Sequence, residues 1–339
     1  MEPDGKETQY PREEHPLLLT RLSAAAVVAA GLALPAFAQS MIDKPECIAP
    51  ANPGGGFDLT CRIAQTGLQP HMSEPVQVTF MPGGIGAVAF NLFNTTRTDD
   101  GSAIVAFSTG SLLNIVTGKY GEFTEKDVRW LATAGADFGA VVVRADSKYE
   151  SLSQLMDDFA ADPGSVVLGA GGSVGSQDWM KGALLLKAAG ASPMDMRYVA
   201  FDGGGDAIAA LLGGSIEIYT GDVGEMVPHL ESGQMRILAV LSPERLDEPF
   251  AEFPTAKEAG YDVEWTILRG FYMGGDVSDE DYQNWVDAFQ AAYATEEFAA
   301  VQKEKGLLPL NMAGEELQAS IEQRVQNLRD IAKEAGLIQ

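Results

Sequence analysis

Two glycine-rich turns hold the residues whose types and spacing could do chemistry. The first runs Cys47-Ile48-Ala49-Pro50-Ala51-Asn52-Pro53-Gly54-Gly55-Gly56-Phe57-Asp58-Leu59-Thr60-Cys61 and reads as a strand, a glycine loop and a helix entry. Glycine lets the main chain come close to a ligand. The first N–H groups of the following helix have no partner inside it, and the helix dipole adds fractional positive charge there, so backbone alone can hold an anion. An ordinary strand-to-helix turn has the same composition. The second turn, Gly169-Ala170-Gly171-Gly172-Ser173-Val174-Gly175-Ser176-Gln177-Asp178-Trp179, also follows an apolar run and opens a helical pattern, with Ser176 placed to cap it. Two such turns facing each other across a cleft would receive a small molecule with negative charge at both ends. Two further turns, Phe107-Ser108-Thr109-Gly110-Ser111 and Tyr219-Thr220-Gly221-Asp222, add Ser108, Thr109, Thr220 and Asp222 to the same cleft. Ligands in open α/β sheets lie outside the carboxyl ends of the strands, where all four turns fall.

Catalytic patterns in these residues are short. Gly171-Gly172-Ser173-Val174-Gly175 fits the G-x-S-x-G elbow of serine hydrolases. A triad would need an acid and a histidine later in the chain, and Ser173, Asp222 and His229 are the one set in that order. A secreted esterase using Ser173 is therefore the competing reading. The glycine spacing departs from a dinucleotide fingerprint, and no Lys follows either loop in phosphate-loop fashion. Asp202, Asp206 and Asp222 are separated by helix and strand and lack calcium-loop spacing. The expectation is no catalytic residue, no metal and no cofactor. Phe57, Phe107 and Phe201 are candidates for cleft walls, although core packing is the commoner fate of Phe.

The elements that must position these turns are short apolar runs at 46–49, 76–80, 103–106, 130–134, 140–143, 166–170, 196–199, 216–219, 237–240 and 271–273. They alternate with helical patterns such as 179–189 and 206–212, which predicts an α/β fold with mixed, mostly parallel sheets flanked by helices. Near the end, Ser278 and Asp281 mark a capped helix running to Ala294, and Leu317, Ile321, Val325, Leu328 and Ile331 form a helical stripe. At the start, Arg21, the apolar run 22–34, Pro35 and Ala36-Phe37-Ala38 have the form of a cleavable export signal, residues 1–38, cut near Ala38–Gln39. About 300 residues then remain, enough for two lobes. The formal net charge of −25 over 339 residues repels nucleic acid and anionic surfaces. Any anion site must then act through local donors, within a screening length of about 8–10 Å. Both cysteines, Cys47 and Cys61, flank the first turn, and in an exported chain they are expected to form a disulfide. Two cysteines without nearby histidines do not make a zinc site, and their spacing is not that of a redox pair.

Taken in order, these segments resemble the extracytoplasmic solute receptors of tripartite tricarboxylate transporters, from Cys47 to about Gly336. The family's first loop, Pro-x-x-x-Gly-Gly-x-Asp after a strand, looks like Pro50 to Asp58, and its Pro-Gly-x-x-Gly turn looks like Pro82-Gly83-Gly84-Ile85-Gly86. Gly169 to Asp178 resembles its second ligand loop. Also similar are Ala209-Ala210-Leu211-Leu212-Gly213-Gly214, Arg236-Ile237-Leu238-Ala239-Val240 and the Phe253-Pro254-Thr255 block through Glu258-Ala259-Gly260. The resemblance implies a type II periplasmic binding protein fold, with lobe one from 44–139 and 242–339 and lobe two from 140–241. It implies a periplasmic receptor, expected as a monomer, that closes on a small organic carboxylate and delivers it to a membrane permease. Carried over residue by residue, the ligand set is Asn52, Gly55, Gly56, Phe57 and Asp58 in the first loop, with Ser173, Gly175, Ser176 and Gln177 in the second. Asp58 either complements the helix dipole or orients loop water. The paired cysteines resemble citrate-type receptors, which points to a di- or tricarboxylate. One departure is Phe201-Asp202-Gly203, where many relatives have Tyr-Lys-Gly.

Overall fold

The computed structural model describes residues 42–334, 337 and 338, so the predicted signal segment 1–38 and its cleavage point lie outside the described residues. Ten strands form, and each overlaps its expected run. β1 (Glu46–Ala49), β2 (Gln77–Phe80), β3 (Ala103–Ser108), β4 (Val128–Phe138) and β10 (Thr266–Gly274) make one sheet in the order β2-β1-β3-β10-β4. β5 (Ala140–Arg144), β6 (Val167–Gly171), β7 (Arg197–Phe201), β8 (Ile218–Tyr219) and β9 (Met235–Val240) make the other in the order β7-β6-β8-β5-β9. Every residue of central β3 is buried and edge strands β2 and β7 keep no buried residue, whereas edge strands β4 and β9 are mostly buried.

Both sheets are mixed. β1 runs parallel to β2 and β3, and β6 runs parallel to β7 and β8, while β10 is antiparallel to β3 and β4 and β5 is antiparallel to β8 and β9. The parallel share is smaller than the alternation of strands and helices suggests, and the reason is topological. β4 leads directly into β5 and β9 leads back towards β10, so the four antiparallel pairings all involve strands that carry the chain between sheets. The crossing point is tight. Gly139 separates β4 from β5, its N–H donates to the Trp265 carbonyl at 3.0 Å, and its carbonyl accepts from Leu241 N–H at 2.7 Å. A Cβ there would press on the Lys181 and Leu241 side chains, so the crossing leaves no room for a larger residue.

Helices α1 (Gly56–Gly67), α2 (Ala87–Thr95), α3 (Thr109–Val116), α4 (Leu152–Ala161), α5 (Gln177–Ala188), α6 (Gly204–Leu212) and α7 (Val227–Glu231) fill the connections. α8 (Asp279–Tyr293), α9 (Glu296–Glu304) and α10 (Glu315–Glu334) follow the last strand. Ser278 caps α8 as expected, its Oγ accepting from Asp281 N–H at 3.1 Å. α10 packs on α3 and β4 through Leu317, Ile321, Val325 and Leu328, but Ile331 is exposed. The stripe rotates by one position at its end, where Ala332 takes the buried place. Among the described residues no helix is long and apolar enough to cross a membrane.

α1 shows how the first turn is held. Phe57, Thr60, Cys61 and Ala64 recur at helical spacing on its buried face, and Cys61 forms a disulfide with Cys47 of β1 across a Cα separation of 5.6 Å. Strand, glycine loop and helix thus become one covalently closed unit. Replacing both cysteines by alanine is expected to lower unfolding stability by about 3 kcal/mol, the chain-entropy value for a loop of this length. Urea unfolding of the double variant checks this, and an unchanged midpoint would rule it out.

Candidate functional site

Four helices begin at one small cleft, about 50 Å³ in volume. α1 brings Gly55, Gly56 and Phe57, α3 brings Ser108, Gly110 and Asn114, α5 brings Ser176, Gln177 and Asp178, and α6 brings Gly203 and Gly204. Each follows the end of a strand (β1, β3, β6 and β7), so the sheets aim four positive helix ends at one space. The caps keep those ends tight. Ser108 Oγ accepts from Gly110 N–H at 3.2 Å, and Ser176 Oγ accepts from Trp179 N–H at 3.3 Å while donating to the Gly171 carbonyl at 3.0 Å. Asn114 and Gln177 are 4% and 7% exposed, and Asn114 Oδ1 and Gln177 Oε1 lack a hydrogen-bond partner among the described residues. Buried polar atoms are rarely left so, and here both belong to side chains lining the cleft.

The rims touch across the cleft. A Cβ at Gly55 would lie 2.9 Å from Gly205 N and 3.1 Å from Gly204 N, so the first loop and the start of α6 meet backbone to backbone. Asn52 Nδ2 donates to Asp206 Oδ2 at 2.9 Å, Ile85 N–H donates to Asp202 Oδ1 at 3.4 Å, and Lys119 Nζ donates to the Val174 carbonyl at 2.8 Å. The acid at position 202 therefore ties the 82–86 turn to the entry of α6.

Beneath the cleft lies a buried ionic network. Arg269 of β10, 1% exposed, bonds Asp137 Oδ2 of β4 through Nε at 2.9 Å and Asp222 Oδ2 through Nη2 at 2.6 Å. Lys181 of α5, fully buried, reaches Asp222 Oδ1 at 2.5 Å, Asp178 Oδ1 at 2.8 Å and the Gly221 carbonyl at 2.7 Å. Burial works against both cations, but the carboxylates around them outweigh it and raise both pKa values. Burial raises Asp137 and Asp178 as well, partly offset by Arg269 and Lys181 respectively. Glu225 has no cation within ion-pair distance among the described residues; burial, then the Asp222 charge, pushes its carboxyl up to about 8.

The expected ligand residues divide into two groups. Gly55, Gly56, Phe57, Ser108, Ser176, Gln177 and Asp222 line the cleft. The others support it. Asn52 spans to α6, Thr109 Oγ1 accepts from Leu268 N–H at 2.9 Å, and Thr220 Oγ1 donates to the Asp178 carbonyl at 2.9 Å. Asp58 Oδ2 accepts from Gly54 N–H at 2.9 Å in the first turn of α1, which makes it a brace for the loop. Gly175 adopts a φ of +77° and sits against Leu337, and Ser173 is exposed. In the esterase reading, Asp222 is engaged by Lys181 and Arg269, and among the described residues no hydrogen bond joins Ser173 or His229 to it. Phe107 is core, packed edge-on against Trp130 at 4.7 Å, and only Phe57 of the three candidate wall residues lines the cleft. Among the described residues no group of His, Cys, Asp and Glu is arranged to hold a metal ion.

Sequence reading missed Gly203, Gly204, Asn114, Glu225 and Arg269. For the glycines a signal was present: Gly203-Gly204-Gly205 stands between a strand and a helix, as the first two turns do. Arg269 sits as a lone charge in Thr-Ile-Leu-Arg-Gly-Phe-Tyr-Met, and Lys181 as another in an apolar helix face, which marks a buried partnered cation.

Residues 60–337 match the family model described as the tripartite tricarboxylate transporter family receptor. The chain belongs to that receptor family. The receptor is 26% identical over 320 residues to protein BugT of Bordetella pertussis, covering 91% of this chain and 95% of the relative. A UPF0065 protein of Cupriavidus necator is also 26% identical, over 79% of this chain and 81% of its own. In structure the receptor is similar to the periplasmic binding protein BugD, with a TM-score of 0.77 and 21% identity, over 87% of this chain and 98% of that one. It is also similar to MatC of Rhodopseudomonas palustris with bound malate, TM-score 0.73 at 16% identity, over 85% and 98% of the two chains. A third similar structure is R. palustris Rpa4515 with adipate, TM-score 0.76 at 19% identity, over 86% and 97%. These likenesses establish the two-domain α/β binding-protein fold.

Proposed function

We propose that this receptor works in the periplasm, where it captures a small di- or tricarboxylate between its lobes and delivers it, without chemical change, to the permease of a tripartite tricarboxylate transporter. The observation that carries this reading is the convergence of four helix N-termini on one small cleft, lined also by the Asn114 and Gln177 amides and by Arg269, whose Nε and Nη2 are held by Asp137 and Asp222. Backbone N–H groups and these amides are the donors such a cleft offers an anion. Malate and adipate, the acids in two structures of similar fold, carry the negative charge that such helix ends attract. The lobe boundaries 44–139 with 242–339 and 140–241 are supported by the sheets, since no strand of either sheet crosses them. Ligand bridging both lobes would favour the closed arrangement by its differential affinity for it.

A ligand in thousandfold excess over Kd stabilises the folded state by roughly 4 kcal/mol. A thermal-shift screen at slightly acidic pH with malate, citrate, adipate and succinate is therefore expected to show at least one acid raising Tm by several degrees. Flat curves across the acids, with a response to sugars or cationic amino acids instead, would overturn the proposal.

A further inference from the structure

We propose that Glu225 faces the cleft as a neutral carboxylic acid and donates its Oε1–H to an oxygen of the bound carboxylate, making it a specificity residue that releases ligand as the pH rises. This rests on the carboxylate-receptor reading above.

Glu225 stands in a single helical turn, Val223–Met226, directly after Asp222. Its Oε2 accepts twice, from Tyr219 O–H at 2.5 Å and from Asp222 N–H at 3.3 Å. A Cβ at Gly204 would lie 2.6 Å from the Tyr219 hydroxyl and 2.7 Å from Oε1, both Gly204 and Glu225 line the cleft, and no hydrogen bond to Oε1 is made among the described residues. With Oε2 saturated by donors, a proton on this carboxyl belongs on Oε1, where it meets the ligand space.

The charges around it explain why the proton stays. Asp222 on the preceding turn and Asp178 on α5 oppose a further negative charge. Arg269 on β10 favours one, but its Nε and Nη2 are held by Asp137 and Asp222. Lys181 on α5 is likewise held by Asp178 and Asp222. Four carboxyl groups therefore share two cations, and Glu225 is the one left without an ion pair. On its far side a second hollow carries Asp58, Glu231 and Glu304 with Arg62 and Lys305, an excess of acid again. An ionised Glu225 would repel an incoming carboxylate, whereas the neutral acid supplies it a hydrogen-bond donor. Burial and the neighbouring acids hold its carboxyl up to about 8, which sets the pH range of the effect.

The test uses E225Q, which keeps the shape and a neutral donor but cannot ionise. Binding of malate, citrate and adipate is measured by calorimetry from about pH 6 to about pH 9.5, a range that spans the ionisation. In the parent protein the affinity for whichever acid binds is expected to hold up to about pH 8 and then fall up to tenfold per pH unit. In E225Q it stays level. A second readout needs no ligand. Because folding raises the carboxyl from 4.5 to about 8, its neutral form stabilises the parent fully at low pH, and this is lost as pH rises between those values. The Tm of E225Q is therefore expected to gain on the parent across that window. A level affinity in the parent, the same fall in E225Q, or a constant Tm difference overturns the proposal. If E225Q does not fold, the parent's profile decides: a level one overturns the assignment and a fall above about pH 8 supports it. No binding of any acid even at about pH 6, with the Tm difference present, overturns the receptor reading instead, and with it the donor role.

Discussion

Gly205→Ala is expected to weaken binding of the captured acid by about 100-fold while leaving the unliganded protein folded. Gly205 lies in the first turn of α6, and its φ is outside the left-handed region, so alanine suits the local backbone and improves the helix by up to ~1 kcal/mol. The added Cβ, however, would overlap the carbonyl oxygen of Pro53 in the first glycine loop. Neither atom sits on a flexible side chain, so the clash is relieved only if the loop and α6 move apart. If that separation lowers the closed population to about 1%, the apparent affinity falls in the same proportion. Calorimetry with an acid that responds in the thermal-shift screen measures the loss, and the unliganded Tm reports the fold. Full affinity in the variant would show that the two loops need not meet around the ligand.

Arg269→Met is expected to destabilise the protein by about 3–5 kcal/mol, the range for breaking a buried ion pair from one side. Methionine fills much of the volume, so the main loss is electrostatic. Asp137 would keep a hydrogen bond from Gly224 N–H at 3.1 Å, and Asp222 would keep Lys181, but the guanidinium joining the two carboxylates would be gone. Burial already raises Asp137, and without Arg269 the pull that offsets this disappears. The folded pKa then lies further above the unfolded one, so the deficit against the parent deepens as pH rises from acid to neutral. Asp137→Asn in the same chain removes one unpaired charge and is expected to recover part of the loss. Urea unfolding at two pH values measures both effects. A loss below 1 kcal/mol, or one that does not depend on pH, would show that Arg269 does not hold Asp137 and Asp222 together.

Much of the site was legible because its grammar is local. A strand end, a glycine run and a capped helix start are written in adjacent residues and mark the turns; the family resemblance then named Gly55, Gly56, Phe57, Ser176 and Gln177 within them, and these, with Ser108, line the cleft. The sorting of neighbours within each turn was not legible. Ser173 and Ser176 are three residues apart, yet one is exposed and the other caps α5, and the left-handed Gly175 turns the chain between them. Asp58 looked equally suited to loop water and to its own helix dipole, and its bond to Gly54 N–H, which ties the loop to the helix, was not written in the spacing.

The strands show the same division. The all-apolar stretch of β3 was plain, but β10 extends from Thr266 through Arg269, and the charge made its first half look unlike a strand. That residue belongs inside only because Asp137 and Asp222 arrive from 132 and 47 positions away. By itself the sequence determined the alternating α/β pattern, the family resemblance, the partner cysteines and most of the helix-entry loops, since each depends on short-range spacing. The tertiary structure alone decided which of those loops share a cleft, that α6 joins them as a fourth, and that the polar floor beneath is four acids around two cations. Those features depend on energies between groups far apart in the chain, and burial gives such groups their meaning only after the sheets have brought them together.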